Sequence, residues 1–377
     1  MPDIETLRAG DEGARDELTR LAFGRGEPID PQRPRAANDQ VMAVYAGDRL
    51  VGAATFFDEA QWFGGRAVPC GAVASVCVAP DQRGQRLAQR MVGEALQRMR
   101  ARGDAISALY PTTASLYRLL GYEIAGWWSL TDAPLGALAA RPALDPKIAL
   151  SPGSFSDVDP LYDRVAPNHD GWLQRSPRFR ATSRFDFDAG HEAKAVYRAE
   201  RDGDLVGLIA YREVREGSGR TFDVATSQLV ALDGGALRAL LDLVVAHGTM
   251  ADALRTNLPA DLLVHAIPHA QLLRRRFQFP WMLRIVDAPR AIAARGFAPQ
   301  LDLEIHLELE GDDTLTDNNG RYVLRVKDGA GTLVPGGRGT HVLDVRELAA
   351  AYTGLGGVDP ELRLAFAGRP PTLVDFF

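Results

Sequence analysis

A strand that runs through a short arginine-bearing loop into a long helix constrains this chain more than any other feature of its sequence. Residues 67–78 are small or β-branched, and Pro80 ends that run because proline cannot donate to a sheet ladder. In residues 87–99, apolar side chains recur at helical spacing, and Gly103 follows the helix. Such a strand–loop–helix unit predicts a mixed α and β fold with a loop at a helix N-terminus.

The connecting loop has the chemistry of an anion site. The first turn of a helix offers unpaired N–H groups and a partial positive charge, and both suit a pyrophosphate. Arg83 and Arg86 add two cationic side chains at the same place. The alternative is an ordinary turn whose arginines are merely solvated, and the loop taken alone does not decide between the two.

The chain also repeats itself. Residues 41–56 form two apolar runs around a Gly-Asp turn, which is typical of a β-hairpin. Residues 195–211 show the same pattern around Asp-Gly-Asp, including a shared Leu-Val-Gly, and a strand (221–232) and a helix (236–247) follow. An internal duplication is the natural interpretation, with a chance recurrence as the alternative.

Beyond residue 300 the pattern changes. Alternating apolar and polar residues in 303–309 and 322–326 predict half-exposed strands around a turn at 318–320, and 345–352 predicts a helix. This region is too small to be catalytic alone. At roughly 150 residues per domain, we expect three parts: residues 1–130, 131–290 and 291–377.

Charge and cysteine usage narrow the function classes. The net charge is −6, a poor match to nucleic acid or an anionic membrane. Only Cys70 and Cys77 occur, which excludes a disulfide framework and disfavours a cysteine metal site. The histidines have no metal-ligand spacing, so no metal is expected. Without a leader pattern or an apolar stretch of about 20 residues, we expect a soluble, cytoplasmic protein.

The order of motifs resembles the GNAT acetyltransferases: a Val-x-Val strand, Arg-x-x-x-x-Ala, a long helix, another strand, and Leu-Tyr-Arg-Leu-Leu-Gly-Tyr at 116–122. Their signature is Arg/Gln-x-x-Gly-x-Gly/Ala, and Arg83 and Ala88 fit it, whereas Arg86 stands where the family has glycine. A right-handed residue at 86 could still present its N–H to a phosphate. The resemblance implies that acetyl-CoA binds along the strand and loop, at Val76, Cys77, Val78, Arg83, Gly84, Gln85, Arg86, Leu87 and Ala88.

Over its whole length the chain resembles the Eis family: two tandem GNAT domains, then a small α+β domain like a sterol carrier protein, with an aromatic last residue. The resemblance implies an N-acetyltransferase in which Tyr117 protonates the departing CoA sulfur. It also implies that the carboxylate of Phe377 acts as the base, that the second GNAT domain lacks its own acetyl-CoA, and that the protein is a homo-oligomer, a hexamer in the family.

The acceptor stays open. An amine is implied, either a small molecule such as an aminoglycoside or another polyamine, or a protein lysine. A binding protein that holds acyl-CoA or an amine without turnover is the alternative, since Arg86 departs from the signature. Four residues are candidate contacts to a cationic acceptor, although ordinary packing explains each of them as well: Asp170, Trp172, Trp281 and Asp287.

Overall fold

The first part of the chain folds into strands with helices packed on them. The structure is a computed structural model that describes residues 3–24, 36–138, 147–182, 192–215, 220–356, 359–368 and 370–376. The elements of the first part are β1 (Ile4–Thr6), α1 (Glu12–Phe23), β2 (Val41–Ala46), β3 (Arg49–Phe63), β4 (Arg66–Val78), α2 (Leu87–Arg102), β5 (Ile106–Leu109), α3 (Ala114–Arg118) and β6 (Glu123–Pro134).

Helix α2 packs on β4 through its apolar stripe. Met91 and Met99 are fully buried on that stripe, and Gly103 ends the helix with φ of +106°. The approach depends on Gly71 in β4, because a Cβ there would lie 2.4 Å from the Met99 sulfur. The periodicity at 87–99 therefore predicts the packed helix correctly.

The second part repeats this arrangement. Its elements are α4 (Leu135–Leu138), β7 (Ile148–Pro152), α5 (Val158–Val165), α6 (Pro177–Thr182), β8 (Ala195–Arg201), β9 (Asp204–Val214), β10 (Phe222–Ala231), α7 (Gly234–Val245), β11 (Ala251–Thr256), α8 (Ala260–Val264) and β12 (Arg274–Ile285). None of the helices described is both long and apolar enough to cross a membrane.

Strands from both parts form one continuous sheet. Twelve strands lie in the order β1-β2-β3-β4-β5-β12-β6-β11-β10-β9-β8-β7. The order is symmetric about its centre, except that β6 and β12 have changed places: β12 pairs with β5, and β6 pairs with β11. The symmetry confirms the predicted duplication. Because each part contributes its last strand to the other, the two parts share one sheet.

The third part is a separate small sheet covered by helices. Its elements are α9 (Ala288–Ala294), β13 (Asp302–Glu310), β14 (Gly320–Lys327), β15 (Ala330–Pro335), β16 (His341–Asp344), α10 (Val345–Tyr352) and α11 (Pro360–Ala365), and the strand order is β15-β14-β13-β16. A buried ion pair docks it: Arg284 of β12 donates to Asp312 at 2.5 Å and to the Leu120 carbonyl at 2.7 Å.

Candidate active site

Strand β4 leaves its neighbour β5 part-way along. The parallel pairing ends at Val73 and Leu109, where β5 also ends, yet β4 continues to Val78. Ser75 has φ of +51° at a bulge in the pairing with β3. A bulge bends the strand that carries it. The result is a cleft between the free end of β4 and the end of β5.

The backbone of the β4 end is turned towards this cleft. Ala79 N donates to Val51 O on β3, at 2.8 Å. Since alternate residues of a strand point their N–H groups to opposite sides, those of Val76 and Val78 point away from β3. The backbone N–H of Cys77 points the other way, towards β3, with which Cys77 pairs. The Val-x-Val pattern thus provides two donors on the cleft side.

Two residues of the loop after β4 have left-handed backbone conformations. Gly84 has φ of +82°, and Arg86, the residue immediately before α2, has φ of +56°. The expectation of a right-handed residue at 86 was wrong. The glycine of the family signature suits a positive φ, and Arg86 adopts that conformation despite the cost of its Cβ.

The start of α2 is suited to an anion. Arg86 makes no side-chain cap, and the first turn contains no acidic residue. In the described part of the chain, neither Arg83 nor Arg86 has an acidic partner, whereas Asp81 is paired with Arg49. The helix N-terminus and the two guanidinium groups therefore leave an uncompensated positive charge.

The loop residues differ in what they offer to a ligand. Arg83, Gly84, Gln85 and Arg86 are exposed, and Ala88 is half-buried. Leu87 is buried in the core with Met91, so only its backbone N–H is available.

Tyr117 lies in α3 with its ring almost wholly buried. The Tyr122 ring packs edge-on to it, with 6.0 Å between centroids. Burial raises the pKa of Tyr117 to about 12. The phenol therefore keeps its proton at neutral pH, as an acid must before transfer. A thiol has a reference pKa of ~8.5, so the phenolate left behind needs stabilisation as the sulfur departs.

Cys77 is not placed to act as a nucleophile. Its side chain is buried, with Sγ 3.9 Å from the Thr19 hydroxyl. Burial raises the pKa of the Cys77 thiol to about 11. Because the thiolate is the reactive form, this cysteine is inert at neutral pH, which favours direct transfer over a covalent enzyme intermediate.

The C-terminal segment of the chain reaches the end of β5. Phe376 stacks on Tyr110, the residue after β5, with 4.1 Å between ring centroids, and lies edge-on to Trp128 at 5.7 Å. The Tyr110 hydroxyl donates to the Asp375 carbonyl at 2.7 Å. Phe377 lies outside the described residues, so its role as a base stays a prediction.

No sequence pattern predicts the ion pair that holds this segment. Arg175 donates to the Asp375 carboxylate at 2.7 and 3.1 Å, and the Tyr162 hydroxyl donates at 2.8 Å. Two hundred positions separate Arg175 from Asp375, and no local pattern marks either of them. Tyr110 could have been found, since it directly follows a predicted strand.

The four candidate acceptor contacts are structural. Trp172 and Trp281 are buried in the core. Asp170 accepts from Gly64 N at 2.7 Å, and Asp287 caps α9. Packing is the better explanation for all four.

One cluster of potential metal ligands lies in the third part. Nδ1 of His341 is 3.5 Å from an Asp359 oxygen, and Nε2 is 3.3 Å from a Glu361 oxygen. The two carboxylates thus face different nitrogens of one ring, whereas a metal would be bound through one nitrogen and both carboxylates together.

Three domain families match the chain in succession. The acetyltransferase (GNAT) domain matches residues 3–125, a second acetyltransferase (GNAT) domain matches 171–285, and the sterol carrier protein domain matches 288–369. The protein N-acetyltransferase Eis of Mycobacterium tuberculosis is 26% identical over 320 residues, 82% of this chain and 77% of that protein. The chain is an N-acetyltransferase with two GNAT domains and a sterol carrier protein domain, and it is similar to the Eis-like enzymes over most of its length.

Other relatives agree with this assignment. An uncharacterized N-acetyltransferase of Streptomyces griseus is 28% identical over 341 residues, 83% of this chain and 79% of that protein. A GCN5-related N-acetyltransferase from Anabaena variabilis superposes with a TM-score of 0.88 at 25% identity, over 100% of both chains. Eis1 from Mycobacterium abscessus shares the fold, with a TM-score of 0.80 at 22% identity and 100% coverage of both chains.

Proposed function

We propose that the first part of this N-acetyltransferase, residues 1–130, transfers an acetyl group from acetyl-CoA to an amine. One observation carries the proposal: the uncapped start of α2, with a left-handed Arg86, lies directly after a strand that has left its neighbour. Val76 and Val78 would pair with the amides of the pantetheine arm. Arg83, Arg86 and the N–H groups of 84–88 would hold the pyrophosphate.

The chemistry falls to a few groups of this chain. The co-substrate supplies the acetyl group as a thioester. A backbone N–H on the Val76–Val78 strand polarises the carbonyl as negative charge develops on its oxygen. Tyr117 holds a proton for the leaving sulfur. The carboxylate of Phe377 is proposed as the base that takes the proton of the acceptor ammonium.

We propose a polyamine, such as an aminoglycoside, as the acceptor, with a protein lysine as the alternative. The relatives' name, N-acetyltransferase, supports an amine. The exposed ring of Phe279 lies 6.3 Å from Phe376, and aromatic faces attract ammonium groups. A cytoplasmic homo-oligomer, hexameric as in the family, completes the proposal.

Release of the CoA thiol from acetyl-CoA tests this function. The panel contains aminoglycosides, linear polyamines and lysine peptides, and neutral sugars of matched size serve as controls. We expect release with multi-amine acceptors and none with the sugars. Release with lysine peptides alone would select the alternative acceptor, and silence with every amine while acetyl-CoA still binds would overturn the proposed acceptor class.

A further inference from the structure

The second part of the sheet contains a cleft equivalent to the one in the first part. Strand β10 pairs in parallel with β11 only as far as Ala225 and Arg255, and its pairing with β9 is irregular between Thr226 and Gln228. In the first part, β4 leaves β5 in the same way. The duplication has therefore produced two clefts, one beside β4 and one beside β10.

The cleft beside β10 is filled by other segments of the chain. Residues 227–230 of β10 and Asn257, which follows β11, lie against Trp172, Arg175 and Val374. They enclose a cavity of only about 10 Å³, roughly the space of a single water. Val374 belongs to the C-terminal segment, so that segment occupies part of the cleft.

Two equivalent residues bind successive carbonyls of this segment. Asn257 donates its Nδ2 to the Val374 carbonyl at 2.6 Å, and Tyr110 donates its hydroxyl to the Asp375 carbonyl at 2.7 Å. Asn257 directly follows β11, and Tyr110 directly follows β5. The segment thus lies between the two clefts and is held by the same position of each repeat.

Asp375 prevents the C-terminal segment from sliding along its length. Its side chain and that of Arg175 are each only 3% exposed. Arg175 also lies over the Tyr162 ring, 3.6 Å from its centre, and Tyr162 donates to the same carboxylate. Backbone hydrogen bonds alone would tolerate a shift along the segment, whereas a buried charge pair would lose its partner in any other position.

We propose that the cleft beside β10 is a peptide-binding site for residues 372–376, and that Arg175 is the positioning residue that sets where Phe376, the neighbour of the proposed base, lies. In this proposal the cleft beside β4 holds a co-substrate, and the equivalent cleft beside β10 holds an extended peptide with a buried aspartate. This inference rests on the proposed function for its catalytic consequence, but not for binding. A displacement of about 1 Å at a reacting group costs roughly 10²-fold in rate.

Binding of the peptide in trans tests the site without any acetyl transfer. The chain is truncated to remove residues 370–377, and the peptide Pro-Pro-Thr-Leu-Val-Asp-Phe-Phe is titrated into it by calorimetry. The matched control is the same peptide with asparagine in place of the aspartate. We expect the native peptide to bind at least about tenfold more tightly than the control, since only it completes the pair with Arg175. Equal affinity of the two peptides, or no binding to a folded truncated chain, would overturn the proposal.

Full-length variants test the positioning role and do not depend on the truncated chain. Arg175→Gln and Asp375→Asn should each lower kcat about 10²-fold and leave the KM for acetyl-CoA within about twofold. The double variant should be no slower than either single one, because both act through one contact. Arg175→Lys should recover part of the rate.

Additive losses in the double variant, or a parallel rise of the KM for acetyl-CoA, would contradict a positioning role and indicate general loss of structure. If the wild-type enzyme acetylates no amine at all, the proposed function fails, while the peptide titration still decides whether the site exists.

Discussion

The two repeats treat the start of the equivalent helix in opposite ways. Helix α7 begins after Asp233, whose carboxylate accepts from Ala236 N at 2.9 Å and pairs with Arg201 at 2.7 Å. The bond from Arg201 lowers the pKa of Asp233 to about 2. Helix α2 begins after Arg86, whose side chain makes no cap. A carboxylate thus already binds the start of α7 in the second repeat, whereas the start of α2 in the first repeat has no side-chain cap.

The same contrast holds at the position of the proposed acid. Tyr117 is the fourth residue of α3, and the fourth residue of the equivalent helix α8 is Leu263, fully buried and unable to donate a proton. The cleft of the second repeat is also filled by the chain itself. A few positions therefore decide whether this fold supports the chemistry, and we propose that only the first repeat is catalytic.

Substitution of Tyr117 should slow the enzyme more than any other change considered below. Tyr117→Phe removes the proton donor and should lower kcat by about 10²- to 10³-fold with the affinity for acetyl-CoA nearly unchanged. Steady-state thiol release and calorimetry measure the two quantities. Because the pKa is raised to about 12, wild-type turnover should show no loss between pH 8 and 10 that depends on Tyr117.

The matched control is Tyr122→Phe. Its ring packs against Tyr117, and its hydroxyl bonds to Ser107 at 2.7 Å, within the core. It should lose stability and retain kcat. Full activity of Tyr117→Phe would show that the difference between Tyr117 and Leu263 has no part in the chemistry.

A smaller effect is expected at Arg86. Arg86→Gly and Arg86→Ala both remove the guanidinium and should weaken acetyl-CoA binding about tenfold. Only glycine also removes the steric cost of the left-handed backbone at position 86. The free energy of unfolding of Arg86→Gly should therefore exceed that of Arg86→Ala by roughly 1 kcal/mol, which a thermal melt detects as a higher unfolding temperature. Arg98→Ala, farther along α2, is the control and should bind normally.

Equal stability of the two Arg86 variants would show that the positive φ carries no cost. Unchanged acetyl-CoA affinity in both variants would mean that the helix N-terminus and Arg83 are enough to bind the pyrophosphate. The positive charge of Arg86 would then not explain why the two repeats differ.

Local sequence patterns predicted most of the fold. The helix at 345–352 is predicted to the residue, and the hairpin at 41–56, the arginine loop and α2 lie where periodicity and turn chemistry place them. Two GNAT domains and the sterol carrier domain are also confirmed. These features depend on neighbours in sequence, so they can be recognised there.

Long-range features could not be predicted. The exchange of β6 and β12 leaves each strand's own alternation unchanged, so no local pattern records it. The pair of Arg175 and Asp375 exists only because the fold brings distant segments together. The left-handed Arg86 was missed for a different reason: arginine rarely adopts positive φ, and the glycine it replaces was the one available hint.

Substitution of Asp233 should have the smallest effect. It removes the carboxylate that caps the start of α7. Asp233→Ala should cost about 1 kcal/mol of stability at pH 7, the usual value of an N-cap, and Asp233→Asn should cost less because asparagine still caps. Urea unfolding measures both. Because the folded pKa is depressed to about 2, the stability that the charge contributes is present above pH ~4 and is lost as the pH falls towards 2. The difference between wild type and Asp233→Asn should therefore shrink over that interval.

Acetyl-CoA stoichiometry then decides what the carboxylate does for function. We expect one acetyl-CoA per chain in the wild type and still one in Asp233→Ala, since the second repeat has neither an arginine pair in its loop nor an empty cleft. A second equivalent in the variant would mean that Asp233 alone keeps the site closed. A second equivalent in the wild type would contradict the whole contrast between the repeats, because a filled cleft and a capped helix would then not prevent binding.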